Sequence, residues 1–376
     1  MAIRVLQVVP AMNCGGIENF IMNLYRNIDR TQVQFDFLYH FSAPSFFDAE
    51  IEALGGHIYR MSVREDYRLL HYLHEVDTFF KEHPCYAVLH GHYSGFGMFY
   101  NAIAKKNGIQ VRIGHSHNTM EEKSMIGMID KAMSRFFRYG VTDCMACSIE
   151  AGRYLFGERP FTVVPNSIAT ESFAFDAQKR AQMRSQLHLS EDATVYGHIG
   201  RFVQQKNHFF LLAVFAEILK RQPKAILLLV GEGALQQRCV EKCAELGIAN
   251  AVRFLGVRSD AADLYHAMDV FVFPSLFEGF GIVALEAQTN GLPCLVSTEL
   301  PSAIHVTGLV TAMPLKSGAA AWAKTAVTLQ NNARSGYAQT VAQAGYDVKL
   351  EAQRLQAFYL QQASLHPREE KLSCSH

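Results

Sequence analysis

What most constrains this chain is a pattern repeated from end to end: apolar runs too short for helices, separated by amphipathic stretches. Residues 3–9, 34–39, 87–90, 111–114, 144–146 and 161–164 form one series of such runs. Residues 195–199, 226–230, 252–255, 270–273 and 294–296 form a second. Segments such as 208–220 and 235–246 lie between them with helical spacing. Strands apolar on both faces, alternating with helices, predict parallel sheets covered on both sides: an α/β chain of doubly wound, Rossmann-like domains. A length of 376 residues suits two of them. We place the first at 1–170 and the second at 190–346, with a hinge in 165–189, where no strand pattern appears. A helical tail over about 350–365 is expected to pack back on the first domain, and 367–376 to fray. The ligand is expected in a cleft that the two domains face.

Composition narrows the function. Lys plus Arg equals Asp plus Glu at 35 each, so no global field draws in nucleic acid, and an anionic ligand must be caught locally. The eight cysteines are scattered. Cys144-x-x-Cys147 lacks a second pair and reads as small apolar core rather than a zinc or redox site. The opening residues read as a strand, not a signal peptide, and no apolar run approaches a membrane span. A cytoplasmic protein is expected, in solution or peripheral on the inner face of the membrane.

Four segments carry chemistry. In Pro274-Ser-Leu-Phe-Glu278-Gly-Phe-Gly281-Ile282-Val283-Ala-Leu-Glu286, a strand ends and glycines open a predicted helix, with Glu278 and Glu286 about two turns apart along one edge. Free amides at the helix start suit a phosphate, and a carboxylate accepts two hydroxyl hydrogen bonds from a sugar. A charged helix N-terminus with a solvated Glu286 is the competing reading. In Gly200-Arg201-Phe-Val-Gln-Gln-Lys206-Asn, two cations follow a strand, where α/β sheets bind ligands, and could clamp a diphosphate. The competing reading is a solvated surface loop. Gly15-Gly16 and Gly231-Glu-Gly233 also follow strands, but neither completes a dinucleotide fingerprint. In Arg112-Ile-Gly-His115-Ser-His117, a histidine could bond a sugar hydroxyl or act as a base. With His90 and His92 these histidines also suggest a metal, but no Cys, Asp or Glu spacing completes a ligand set; a core or cleft histidine bonded to backbone ranks above the metal, and a substrate histidine above both. Residues 125–138 mix apolar and basic side chains at helical spacing. They suit an anionic membrane or a lipid-linked acceptor, or else a core-facing helix with a basic outer face.

Taken in order, these segments resemble the family-4 glycosyltransferases, retaining enzymes of the GT-B fold. The likeness spans Gly15-Gly16, His115-Ser-His117-Asn, Pro165-Asn166, Gly200-Arg201 with Lys206-Asn207, Gly231-Glu-Gly233, Phe254-Leu-Gly256 and Pro274 through Glu286. It is nearest to the bacterial capsule, exopolysaccharide and lipopolysaccharide branch. The resemblance implies that Arg201 and Lys206 hold the donor diphosphate and Glu286 its ribose. Glu278, Gly281, Ile282 and Val283 would hold sugar and phosphate, Gly15 and Gly16 would pack on donor and acceptor, His117 would meet the donor sugar, and Arg258 would lie beside the base. The donor would be a nucleotide sugar, by default UDP-linked, and the acceptor a glycan or lipid-linked oligosaccharide. No cofactor and no metal are implied, in keeping with the lack of an Asp-x-Asp motif. Where the family has Pro-Asn-Gly, this chain has Pro165-Asn166-Ser167. The alternatives are a nucleotide-sugar epimerase of the same fold and a catalytically silent nucleotide-sugar-binding protein.

Overall fold

The computed structural model describes residues 2–13, 15–61, 69–92, 96–117, 136–137, 140–258, 260–330 and 333–366. They form two compact units, Met1–Ser167 with Val348–His376, and Ile168–Asp347. The expected segment 125–138 lies outside the described residues apart from Phe136 and Phe137, and the expected frayed end lies wholly outside them.

The first unit contains strands β1 (Ile3–Val9), β2 (Val33–Tyr39), β3 (Ile58–Arg60), β4 (Val88–Gly91), β5 (Val111–Ser116), β6 (Asp143–Ala146) and β7 (Thr162–Val163). They form one sheet in the order β3-β2-β1-β4-β5-β6-β7, parallel throughout. The second unit contains β8 (Val195–Ile199), β9 (Ile226–Val230), β10 (Val252–Phe254), β11 (Val270–Phe273), β12 (Cys294–Ser297) and β13 (Val310–Met313). Their order is β10-β9-β8-β11-β12-β13, again parallel. Each sheet reverses its direction of winding once, between β1 and β4 and between β8 and β11. Loops leaving the carboxyl ends of strands at such a reversal turn away from each other and open a crevice. Continuous apolar strands such as Val-Phe-Val-Phe in β11 are buried on both faces. The edge strands β3 and β13, partly exposed and interrupted by polar residues, lack that signature and escape sequence reading.

The stretch expected as a hinge is largely built into the second unit. It forms a helix, Ala177–Gln186, whose first amides are capped by the Asp176 carboxylate. Arg180 pairs with Asp269 at 2.6 Å and Arg184 with its other oxygen at 3.3 Å, while that oxygen also accepts from the Val195 amide at 2.7 Å. Arg184 further donates to the carbonyls of Ser190 and Ala193 at 2.7 and 2.8 Å. The unit's first and last residues, Ile168 and Asp347, form a parallel bridge, and Thr170 donates to Asp347 at 2.5 Å. The final helix, Val348–Leu365, belongs to the first unit, where it buries Leu355 and sets Tyr359 edge-on to Phe35. Among the described residues no helix is long and apolar enough to cross a membrane.

Candidate functional site

At the winding reversal of the second unit, the loops after β8 and β11 are zipped together. The Leu276 amide donates to the Gln205 carbonyl at 2.8 Å, Gln205 Nε2 to the Phe277 carbonyl at 2.9 Å, and Asn207 Nδ2 to the Pro274 carbonyl at 3.1 Å. Asn207 has φ 57°, a left-handed conformation that asparagine tolerates, and it starts the helix His208–Leu219. This zipper brings the Lys206 ammonium to 2.6 Å from Glu278 Oε1 and 5.0 Å from the centre of the Phe273 ring. Both partners are largely buried, so the pair is held in place and not merely solvated. Lys206 has three N–H donors, and one is spent on Glu278. Arg201 stands exposed at the start of the same loop.

One expectation requires correction. Glu278 is not on the helix with Glu286; it lies in the loop before it, and the helix runs from Ile282 to Thr289. The cause is Gly281, whose φ of 90° places the helix start after the glycine, in a conformation other residues seldom adopt. The amides of Ile282 and Val283 open the first turn, where a helix leaves its N–H groups without intrahelical partners. Glu286, one turn further on, accepts a 2.7 Å hydrogen bond from the Tyr265 hydroxyl. Burial raises its carboxyl to about 7, and the Tyr265 bond pulls the other way. Arg258 is committed locally to Asp260 by a fork of 2.7 and 2.6 Å.

Two glycines of this unit serve close backbone approach. A Cβ on Gly231, at φ 126°, would lie 2.3 Å from the Gly200 carbonyl oxygen, and one on Gly233, at φ 157°, 2.6 Å from that of Phe202. Gly231-Glu-Gly233 therefore lets the loop after β9 lie against Gly200–Phe202, where Phe202 N bonds the Glu232 carbonyl at 2.9 Å. Sequence reasoning also missed His198 and His208. They are buried behind Lys206, with ring centres 4.8 Å apart, and His208 stacks on Phe202 at 4.1 Å. Burial drives both toward the neutral form, and each feels the charge of Lys206 as well. Only their positions beside Gly200 and after Asn207 in the sequence could have hinted at them.

In the first unit, Gly15 precedes the helix Gly16–Asn27 in extended conformation, and a Cβ on Gly16 would meet nothing within 4 Å. Packing thus gives no reason for glycine at 16. His117 is buried, not presented on an open surface. Its Nε2 lies 2.8 Å from His92 Nδ1, its ring stacks on His115 at 4.1 Å, and its Nδ1 is buried without a partner among the described residues. Its neighbour Asn118 lies outside them. The two His-x-His pairs that the sequence left without a completing ligand meet here, because β4 and β5 are adjacent. His90, His92 and His115 each offer a nitrogen within 4.8 Å of the others.

Residues 179–309, all in the second unit, match the family described as Glycosyl transferases group 1. The chain is 34% identical over 359 residues to a Bacillus subtilis protein named Putative glycosyltransferase EpsF, covering 92% of this chain and 93% of that one. It is 32% identical over 139 residues to an Escherichia coli UDP-Gal:alpha-D-GlcNAc-diphosphoundecaprenol alpha-1,3-galactosyltransferase, 36% of each chain. Among solved structures, Anabaena HepE in complex with UDP-glucose superposes with a TM-score of 0.75 at 18% identity, over 95% of this chain and 99% of that one. WaaG, a glycosyltransferase involved in lipopolysaccharide biosynthesis, superposes at 0.67 with 16% identity, over 97% of this chain and 100% of that one. The two α/β units are those of the GT-B fold.

Proposed function

This chain belongs to the group 1 glycosyl transferases, and from that premise we propose that it moves a hexose or N-acetylhexosamine from a UDP-sugar to a glycan or lipid-linked acceptor in bacterial surface polysaccharide synthesis. The observation that carries this reading is the crevice of the second unit. There the loop after β8 carries a largely buried cation, Lys206, and the helix after β11 opens on the amides of Ile282 and Val283 and bears a carboxylate, Glu286, that can accept a diol. In this reading Arg201 and Lys206 neutralise the diphosphate as its bond to the sugar breaks, which is electrostatic stabilisation of the leaving group. Glu286 accepts the two ribose hydroxyls, and Arg258 flanks the base. Glu278, tied to Lys206, orients that ammonium and meets the sugar. Gly16, unexplained by packing, leaves room for donor and acceptor, and His117 serves the sugar side. The anomeric C–O bond to the diphosphate breaks while the acceptor oxygen bonds the same carbon on the same face. The acceptor proton passes to the leaving phosphate oxygen, so configuration is retained without a protein nucleophile or a metal on the diphosphate. The names of the E. coli and Anabaena proteins support a UDP-sugar, and that of the E. coli protein a lipid-linked acceptor.

The test is transfer of labelled sugar from a panel of UDP-sugars to an undecaprenyl-diphosphate-linked primer, with the new linkage read by NMR. One UDP-sugar should give an α-linked product. Hydrolysis or isomerisation of every donor with no transfer would overturn the reading.

A further inference from the structure

We propose that His90, His92 and His115 form a binding site for one divalent ion of the zinc class, built entirely within the first unit. Four features of the geometry point to this. First, His-x-His on a strand sets both rings on one face, and β4 lies directly beside β5, with Gly91 level with Gly114. Second, the nitrogens are already close to coordination spacing: His90 Nε2 is 3.1 Å from His115 Nδ1, and one nitrogen from each of the three rings lies within 4.8 Å of the others. A tetrahedral zinc ion with bonds of about 2.0–2.1 Å sets its nitrogens about 3.3 Å apart. Third, the outward nitrogens end on oxygens. His90 Nδ1 lies 2.6 Å from the Tyr359 hydroxyl, and His92 Nε2 lies 2.9 Å from Gln7 Oε1. An imidazole that donates its far N–H to an oxygen turns its near lone pair toward a metal, the arrangement that fixes metal-binding histidines. Fourth, Gln7 and Tyr359 are themselves buried, so this outer layer is built rather than incidental.

Counting protons shows why the cluster is unfinished as a hydrogen-bond network. With the far protons of His90 and His92 committed to Tyr359 and Gln7, their near lone pairs are served by protons on His115 Nδ1 and His117 Nε2. That leaves lone pairs on His115 Nε2 and His117 Nδ1, and these two atoms are the ones buried without partners among the described residues. A bound ion would take the near lone pairs of His90 and His92 and that of His115 Nδ1, whose proton moves to His115 Nε2. A set of imidazoles without carboxylates selects zinc, nickel or copper over magnesium, calcium or manganese. The ion would pin β4 and β5 to β1 through Gln7 and to the final helix through Tyr359.

The test uses the full chain without an affinity tag, stripped with chelator and titrated with zinc chloride. One equivalent should bind, with X-ray absorption showing a nitrogen shell near about 2.0 Å and no sulfur near about 2.3 Å. Tyr359→Phe, which keeps the buried ring, should weaken binding about 10–100-fold, and His92→Gln by more than about 100-fold. If His92→Gln does not fold, Tyr359→Phe and the absorption spectrum decide. Absence of saturable uptake, a sulfur shell, or a Tyr359→Phe variant that binds zinc as the parent does would each overturn the proposal.

Discussion

Replacing Tyr265 by Phe tests how Glu286 is held. The Tyr265 ring is buried, and Phe keeps its shape, so the change removes one hydroxyl and little else. That hydroxyl has two acceptors in reach, Glu286 Oε2 at 2.7 Å and the Val283 carbonyl at 3.1 Å, and its single proton favours the shorter bond. A hydrogen bond to a charged group is worth about 1.5–3 kcal/mol, and one pKa unit is about 1.4 kcal/mol. Glu286 starts at about 7, so losing the bond should raise it by about one unit. The sign follows from what binding requires. Only the ionised carboxylate accepts both ribose hydroxyls, so donor affinity rises as pH climbs through the carboxyl's pKa. In the parent, UDP affinity should increase nearly tenfold between about pH 6 and 8. In Tyr265→Phe the same curve should sit about one unit higher, giving about fivefold weaker binding at pH 7 and recovery by about pH 9. Calorimetric titration of UDP across that range reads both midpoints. A variant with an unshifted midpoint, or one weakened equally at every pH, would refute the role of the bond.

Other outcomes follow from the same geometry. Lys206→Ala should lower turnover by about 100–1,000-fold, as loss of a donor that stabilises a developing charge does, and initial rates at saturating donor measure it. Gly231→Ala should cost at least about 3 kcal/mol, because its Cβ would press on the Gly200 carbonyl from a φ that alanine avoids; urea unfolding of the full chain reads this. Arg184→Ala should cost about 2 kcal/mol, by stranding the Ser190 and Ala193 carbonyls and half of the Asp269 pairing, seen as a lower midpoint in thermal melting.

Much of the fold was legible because buried parallel strands have a plain signature. Runs such as Ile226–Val230 and Val270–Phe273 match their strands at both ends, since five or four consecutive apolar residues bounded by turn residues suit a strand buried on both faces. The stretch 165–189, expected as a hinge, holds the boundary between the two units after Ser167, and the helix in the rest of it was not legible because its anchoring is made by charged side chains. Arg180 and Arg184 look solvated in sequence, and only the fold reveals Asp269 beneath them. In the site, Lys206 and Glu278 were each read from sequence as candidate ligand groups, yet their 2.6 Å bond to one another was not legible, because 71 residues intervene between them. Gly281 was legible as glycine but not as the residue that ejects Glu278 from the helix, because φ is not written in composition. The histidines show the same limit: two His-x-His pairs stand far apart in sequence, and strand adjacency alone brings them together.

The central claim is that the second unit holds a nucleoside diphosphate through Lys206 and Glu286. Calorimetric titration of UDP onto the parent, Lys206→Ala and Glu286→Ala chains tests it most directly. The account predicts saturable binding to the parent, weakened at least about tenfold by either substitution, the equivalent of about 1.4 kcal/mol. Failure of UDP to bind the parent, or equal binding to all three chains, would contradict it.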